Sequence, residues 1–206
     1  MNDQQIRDEV VTMLLAGHET TALALSWTCY LLSRHRAVES RLTAELYEVL
    51  GTRSPTVDDL ARLRHCEHAI YEAMRLYPPA WAIGREAINP CEIGGYRVPA
   101  GMTIFIAPWV LHRDSRYFNS PTEFRPDRWA SGLAKQLPRF AYMPFGGGPR
   151  VCIGNRFAMM EAVLILAAIV QHFALEAQNE QPEPFPSITL RPKGGVWLRP
   201  QPRFRN

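Results

Sequence analysis

Several features that mark particular classes of protein are missing from this sequence. No apolar stretch reaches membrane-spanning length without polar interruption, and residues 1–9 do not have the composition of a signal peptide. The net charge is only +3 and the basic residues form no run, which argues against a nucleic-acid-binding protein. We therefore expect no membrane segment in this chain and no nucleic acid partner.

Cysteine is scarce, and its spacing excludes two further classes. The chain has only 4 cysteines, at positions 29, 66, 91 and 152, and no two of them form a C-x-x-C pair. This pattern argues against a zinc site and against a disulfide framework, and it favours separate thiols in a reducing compartment. Hydrophobic residues make up 47% and charged residues 21%, which predicts a globular protein. Because the cysteines suggest a reducing compartment, we expect it in the cytoplasm.

The periodicity of apolar residues predicts a mainly α fold with a minor β-sheet. Apolar positions recur every three or four residues in four segments, which predicts helices over about 3–35, 38–50, 65–77 and 156–175. Short apolar alternations bounded by turn residues predict small strands within 87–98 and 102–107. The tail over 187–198 predicts a strand pair that turns at residues 193–195.

The segment 145–154 combines a glycine-rich bend with a single cysteine and an arginine. Glycines let the backbone pass close to a flat ligand, because nothing protrudes from their α-carbons. Cys152 precedes the last helix, where the helix dipole favours the metal-binding thiolate, and Arg150 offers a forked cation to a carboxylate. These residues predict a metal-thiolate site, and the alternative is a buried structural cysteine in a turn.

The first helix contains a second group of candidate residues. The Thr20 hydroxyl can bond the Ala16 carbonyl, and small residues at Ala16 and Gly17 leave a groove for a diatomic ligand. Glu19 and Thr20 supply an acid and an alcohol for proton delivery. The alternative is that the small residues pack against a crossing helix. A metalloprotease motif is excluded, because Ala22 stands where a second histidine is required.

Glu72 and Arg75 lie one helical turn apart on the third predicted helix. An exposed pair of this kind contributes only about 0.2–0.5 kcal/mol and is common. The helix around it is otherwise apolar, however, and a Pro- and Arg-rich segment containing Arg128 follows over 121–129. A carboxylate buried between two guanidiniums would be strongly destabilising to disrupt.

The chain resembles the C-terminal half of the cytochrome P-450 superfamily. The haem-ligand signature F-x-x-G-x-R-x-C-x-G is matched at Phe145, Gly148, Arg150, Cys152 and Gly154. The oxygen-binding helix motif A-G-x-[DE]-T-[TS] is matched over 16–21, and the E-x-x-R element over 72–75. The P-E-R-F element is matched in part over 126–129, with aspartate and tryptophan in place of glutamate and phenylalanine.

The resemblance implies a single partial domain over residues 1–206 that uses haem b and O2. Cys152 is the implied iron ligand, and Thr20 and Glu19 are the implied catalytic residues that help to protonate dioxygen. Glu72, Arg75 and Arg128 are implied to form a buried structural triad. The implied cofactor-binding residues are Phe145, Gly146, Arg150, Cys152, Gly154 and Arg85, with the two arginines at the haem propionates. The implied substrate-wall candidates are Ala16, Gly17, Ala80, Trp81, Ile83 and Ile188.

The implied activity is that of a haem-thiolate monooxygenase acting on a hydrophobic small molecule. Electrons would come from a ferredoxin, a flavodoxin or a flavin reductase, docked at basic residues Lys135, Arg139, Arg150 and Arg156. Because only the C-terminal half of the family's fold is matched, a truncated, haem-binding or inactive fragment is one alternative. A haem-thiolate isomerase is another. A membrane anchor in a missing N-terminal half also stays open.

Overall fold

The computed structural model describes residues 1–178 and 180–203, and within them the fold is mainly α with small antiparallel sheets, as the sequence predicted. The helices are α1 Asp3–Arg34, α2 Arg36–Leu50, α3 Arg64–Leu76, α4 Pro108–Leu111, α5 Leu133–Gln136 and α6 Asn155–His172. Single 3-10 turns lie at Val57–Asp59, Pro126–Trp129 and Gly148–Arg150. In the described part of the chain, no helix is long and apolar enough to cross a membrane.

Eight short strands pair as four separate two-stranded antiparallel sheets in the described residues. The strands are β1 Ile83–Glu86, β2 Cys91–Ile93, β3 Tyr96–Val98, β4 Thr103–Ile106, β5 Phe173–Ala177, β6 Pro184–Pro186, β7 Leu190–Pro192 and β8 Leu198–Pro202. The pairs are β1 with β4, β2 with β3, β5 with β8 and β6 with β7. The pairs β2–β3 and β6–β7 are hairpins, and β1–β4 and β5–β8 each join strands on either side of one of these hairpins in the chain.

The long helix α1 begins at a capping box and changes character along its length. Asn2 accepts a hydrogen bond from the Gln5 backbone at 2.8 Å, and the Gln5 side chain accepts one from the Asn2 backbone at 2.9 Å. Residues 1–18 are exposed, whereas the second half of the helix is largely buried. The candidate residues at 16–20 lie at this transition between the exposed and the buried halves.

The core forms where α1, α2, α3 and α6 pack together. Its fully or almost fully buried side chains share an apolar character and come from all four helices: Trp27, Leu32, Leu42, Leu46, Ile70, Ala73, Leu166 and Val170. Gly51, with a φ of 60°, ends α2, and the prolines at 78 and 79 follow α3 because proline cannot continue a helix. After these stops the chain returns so that α3 contacts both α1 and the 3-10 turn Pro126–Trp129.

The predicted last helix over 156–175 was too long. Helix α6 ends at His172, and Phe173–Ala177 form β5, which pairs with β8. The apolar pattern of this segment fits both a buried helix and a strand, and pairing with a strand more than twenty residues later selects the extended form.

The other strand predictions were correct in location and wrong in pairing or extent. The tail does turn at Gly194 and Gly195, with φ values of 75° and 83°, but β7 pairs with β6 and β8 pairs with β5. The predicted strand pair over 187–198 is therefore not formed. Strand β1, Ile83–Glu86, precedes the segment predicted to hold strands, and it forms by pairing with β4, whose residues lie about twenty positions later.

Candidate active site

The glycine-rich bend before α6 folds back on itself and presents Cys152. The Cys152 backbone N–H donates to the Phe145 carbonyl at 3.0 Å, which closes the bend. Gly146 and Gly148 have φ values of 73° and 71°, in the left-handed region that glycine adopts without steric cost. Cys152 itself is exposed, so its sulfur is accessible to a ligand and the alternative of a buried structural cysteine does not hold.

The bend also fits closely around its neighbours. A Cβ on Gly146 would lie 3.6 Å from Ile83 Cδ1, so the start of β1 packs against the bend. A Cβ on Gly154, the residue that caps α6, would lie 3.9 Å from the Cys152 sulfur. The sulfur therefore lies beside the first turn of α6. An exposed cysteine at the end of a glycine-rich bend fits a haem-ligand loop.

The two arginines expected at the haem propionates are both exposed. Arg150 ends the 3-10 turn within the bend. Arg85 lies on β1, two residues after Ile83, and its guanidinium donates to the Gly84 carbonyl at 2.7 Å. Because Ile83 packs on the bend, the two arginines lie on segments that are in contact with each other.

On α1, the Thr20 hydroxyl donates to the Ala16 carbonyl at 2.8 Å, the bond that the sequence suggested. Ala16 and Gly17 are exposed, and no described atom would lie within 4 Å of a Cβ added at Gly17. The packing alternative for these small residues therefore has no support from the described part of the chain. The surface over them is open and shallow.

Glu19 contacts two residues from the tail that sequence reasoning missed. Its Oε1 accepts a hydrogen bond from the Thr189 hydroxyl at 2.6 Å and forms an ion pair with Arg191 Nε at 2.7 Å. The Thr189 hydrogen bond, followed by the Arg191 contact, lowers the pKa of the Glu19 carboxyl from its usual value. Local spacing carries no signal for this group, because Glu19 and Thr189 are 170 residues apart.

The predicted substrate-wall segment is hydrogen-bonded to the tail hairpin, which is formed by β6 and β7 over residues 184–192. The Leu190 N–H donates to the Pro79 carbonyl at 3.0 Å, and the Trp81 indole donates to the Ser187 carbonyl at 2.7 Å. Ile188, between these two tail residues, is 92% exposed. The structure thus brings Trp81 and the Ile188 loop together, while Ala80 lies half-buried between the two bound residues. Ile83 extends the same segment to the cysteine bend.

Glu72, Arg75 and Arg128 meet in the interior. The Glu72 and Arg75 side chains are 0% exposed and form a two-pronged pair, with Nε–Oε2 at 3.0 Å and Nη2–Oε1 at 2.9 Å. Arg128 Nε donates to Glu72 Oε1 at 2.9 Å. Trp129 Nε1 adds a further donor to Oε2 at 2.9 Å. Sequence reasoning noted this tryptophan in the motif but not its bond to the carboxylate.

Arg75 uses every donor of its guanidinium. Beyond Glu72, its Nη1 donates to the carbonyls of His112 at 2.8 Å and Pro121 at 2.6 Å, and its Nη2 donates to the Glu123 carbonyl at 3.0 Å. A fully satisfied buried guanidinium fixes the loop over 112–129 onto α3. That loop leads into the segment that carries Cys152.

His112 organises the same region. It is fully buried, and its Nε2 accepts a hydrogen bond from the Met143 N–H at 2.9 Å, two residues before the cysteine bend begins. Burial lowers the pKa of His112 to about 3, so the ring is neutral at physiological pH. Its Nδ1 has no hydrogen-bond partner among the described residues.

A mainly α fold in which a glycine-rich bend presents an exposed cysteine, and a long helix carries an acid and an alcohol, agrees with the resemblance to the haem-thiolate class of proteins. The chain belongs to the cytochrome P-450 family, since the family model described as "Cytochrome P450" matches residues 1–202. Membership implies a haem cofactor and the use of O2.

Individual relatives agree over nearly the whole chain. It is 44% identical to "Cyclooctatin synthase" of Streptomyces melanosporofaciens, over 98% of this chain and 44% of the relative. It is 40% identical to "Cytochrome P450 4V2" of Homo sapiens, over 97% of this chain and 39% of the relative. It is 42% identical to "Putative cytochrome P450 132" of Mycobacterium bovis, over 94% of this chain and 42% of the relative. The chain therefore spans less than half the length of these relatives.

Proposed function

We propose that the protein is a haem-thiolate monooxygenase with Cys152 as the iron ligand. The observation that carries this proposal is that Cys152 is exposed at the end of a glycine-rich bend. In this bend Gly146 and Gly148 have left-handed backbones, and Gly147 lies close to a neighbouring aromatic ring. Family membership supports the same chemistry at the level of the family. Haem b, when bound, supplies the activation of O2, and the residues of this chain bind it and deliver protons.

In this proposal, Phe145, Gly146 and Gly154 shape the loop that holds the haem. Arg150 and Arg85 bind its propionates, since both guanidiniums are exposed on segments that touch each other through Ile83. Glu19 and Thr20 carry protons from solvent. The Glu19 carboxyl releases its proton through Thr20 towards the haem site, and water then restores it. The substrate is oxidised by one oxygen atom of O2 while the other leaves as water.

The substrate class that fits best is a hydrophobic small molecule. Trp81, Ile83 and Ile188 supply apolar surface, and Ile188 lies fully exposed at the tip of the tail hairpin. Ala80, Ala16 and Gly17 complete the proposed wall with small side chains that leave room for a ligand. Such a surface favours apolar ligands, because it offers few hydrogen-bonding groups.

A redox partner supplies the electrons in this proposal. Four basic residues around the ligand loop, namely Lys135, Arg139, Arg150 and Arg156, are exposed. They favour an acidic partner of the ferredoxin or flavodoxin type, or a flavin reductase, because opposite charges accelerate encounter. The described cysteines are all free thiols, which fits our placement of the protein in the cytoplasm.

The test is spectroscopic and uses a matched pair of variants. The protein is loaded with haem, reduced and exposed to carbon monoxide, and we expect a thiolate-type Soret band. Cys152→Ala should abolish that band, whereas Cys91→Ala, which removes another exposed cysteine, should retain it. A thiolate-type band in the Cys152→Ala variant, or none in the wild type, would refute the assignment.

Turnover then separates the proposed function from its alternatives. Product formation that requires both O2 and a reductant supports the monooxygenase. Haem uptake without product would favour the haem-binding, inactive alternative. Product formation without external electrons would favour an isomerase, for which the Glu19 and Thr20 pair has no evident use.

A further inference from the structure

We propose that Thr189 and Arg191 are positioning residues that orient the Glu19 carboxylate for proton delivery. The inference rests on the proposed monooxygenase function and assigns to the tail hairpin a part in the proton path. Neither residue belongs to the motifs that identified the site.

The geometry places two polar groups on one oxygen of Glu19. The Thr189 hydroxyl donates to Oε1 at 2.6 Å, and Arg191 Nε lies 2.7 Å from the same atom. Arg191 Nε also lies 3.4 Å from the Thr189 oxygen, so the hydroxyl is held between cation and carboxylate. No described residue bonds Oε2, and the Glu19 side chain is 35% exposed, which leaves that oxygen free to exchange a proton with water.

The backbone between the two residues is anchored on both sides. The Leu190 N–H donates to the Pro79 carbonyl at 3.0 Å, and the Leu190 carbonyl accepts from Trp27 Nε1 at 3.2 Å. Leu190 is buried in the core, and side chains alternate along an extended segment, so Thr189 and Arg191 project to the opposite side, towards Glu19. The pair is thus fixed relative to both α1 and the proposed substrate wall.

The charged groups near Glu19 all lower the pKa of its carboxyl. Arg191 on β7 and His18 on α1 are the charged or titratable groups that act on this carboxyl, and the Thr189 hydrogen bond contributes most. Together they lower the pKa of Glu19, which therefore stays ionised near neutral pH and takes up a proton only transiently. An ionised carboxylate can accept a proton from solvent and release it again, and the contacts from Thr189 and Arg191 fix the direction in which it does so.

A purely structural ion pair is the competing explanation. Arg191 is 52% exposed, and pairs of this exposure contribute little to stability. Removing the Arg191 guanidinium should therefore leave the unfolding midpoint almost unchanged. If the Arg191 variant keeps its unfolding midpoint and yet transfers protons less well, loss of the fold is not the cause.

The first measurement is the titration of the Glu19 carboxyl by NMR with carbon-13-labelled glutamate. We expect its midpoint to lie below that of an ordinary glutamate in the wild type and to rise in Arg191→Ala and in Thr189→Val. Arg191→Lys and Thr189→Ser keep the charge or the hydroxyl and should retain a low midpoint. Lys193→Ala removes the exposed pair with Glu183 on the same hairpin and serves as the control, with no shift expected.

The second measurement is the product formed per O2 consumed, with its pH profile and solvent isotope effect. We expect Arg191→Ala to lower product formation by on the order of 10-fold and to move the pH midpoint upwards together with that of the carboxyl. Arg191→Lys should restore most of the loss.

Three outcomes decide the matter. An unchanged Glu19 midpoint in Arg191→Ala would overturn the inference. A shifted midpoint with an unchanged product yield and pH profile would overturn it as well, leaving the monooxygenase function intact. A wild type that forms no product would instead refute the proposed function, and the inference would fall with it.

Discussion

The ring of Phe140 lies directly over Gly147. A Cβ built on Gly147 would be 2.5 Å from Phe140 Cε1, closer than a carbon atom can approach without displacement. Phe140 itself has a φ of 69°, an uncommon backbone conformation for a non-glycine residue, which aims its ring at the glycine bend. The guanidinium of Arg139 lies 4.6 Å from the centre of the same ring. The shape of the proposed haem loop thus depends on an aromatic side chain that precedes the family motif.

Gly147→Ala should disturb the loop through this contact alone. Because Gly147 has an extended backbone with a φ of −168°, alanine brings no backbone strain, and displacing the exposed Phe140 ring from its rotamer should cost about 0.5–1.5 kcal/mol of unfolding free energy. Phe140→Ala in the same chain should remove most of that cost. Chemical denaturation of the two single variants and the double variant measures the coupling, and purely additive effects would contradict the contact.

Glu72→Gln should destabilise the protein strongly, since it leaves the buried Arg75 and the almost buried Arg128 without their shared carboxylate. We expect a loss of about 3–5 kcal/mol in the free energy of unfolding. Glu183→Gln is the matched control, because it makes the same change in an ion pair whose side chains are both more than 60% exposed. Equal losses in the two variants, measured by urea denaturation, would show that burial does not matter.

Gly17→Ala should separate stability from function. Alanine is the better helix former and meets no described atom within 4 Å, so the unfolding free energy should rise by about 0.5–1 kcal/mol. Oxygen-dependent product formation should fall, because the methyl projects into the ligand site proposed on this face of α1. Thermal unfolding and turnover measure the two effects, with Ala22→Gly as the reverse substitution at an exposed position of the same helix. Unchanged turnover would remove Gly17 from the proposed site.

His112 should make the protein sensitive to acid. Its pKa is about 3 in the folded protein and near 6.5 when unfolded, so the unfolded state binds the additional proton between these values. Its contribution is therefore fully present above about pH 6.5 and is lost as the pH falls towards 3, at up to about 1.4 kcal/mol per pH unit.

The variant His112→Gln tests that slope, because glutamine can still accept the hydrogen bond from the Met143 N–H but does not titrate. We expect the unfolding free energy of the wild type to fall relative to that of this variant as the pH is lowered. Denaturation curves at pH 7, 6 and 5 provide the measurement, and a difference that stays constant across them would contradict burial of a neutral ring.

Much of the site was predictable because its residues lie in short, fixed patterns. The Cys152 loop, the Thr20 bond to Ala16 and the pairing of Glu72 with Arg75 each depend on residues within about ten positions of one another. Helical and turn geometry fix the distances between such residues, so spacing alone indicates which groups can meet.

The partners of these residues were not predictable in the same way. Trp129 donates to Glu72 from 57 positions away, and Thr189 bonds Glu19 from 170 positions away. The first three residues of β5 were likewise assigned to a helix, since their apolar pattern suits either form and the partner strand β8 lies beyond β6 and β7 in the chain. Pairing over such separations depends on how the whole chain packs.

The sequence by itself determined the family, the mainly α fold, the candidate ligand Cys152 and the acid and alcohol of α1. These properties follow from local periodicity and from motifs in which side-chain chemistry and spacing act together. Only the tertiary structure decided that the tail hairpin binds both Glu19 and the proposed substrate wall, and that Phe140 covers Gly147. The physical reason is that hydrogen bonds and close contacts between distant segments arise when the helices bury their apolar faces, and no local pattern encodes which surfaces then meet.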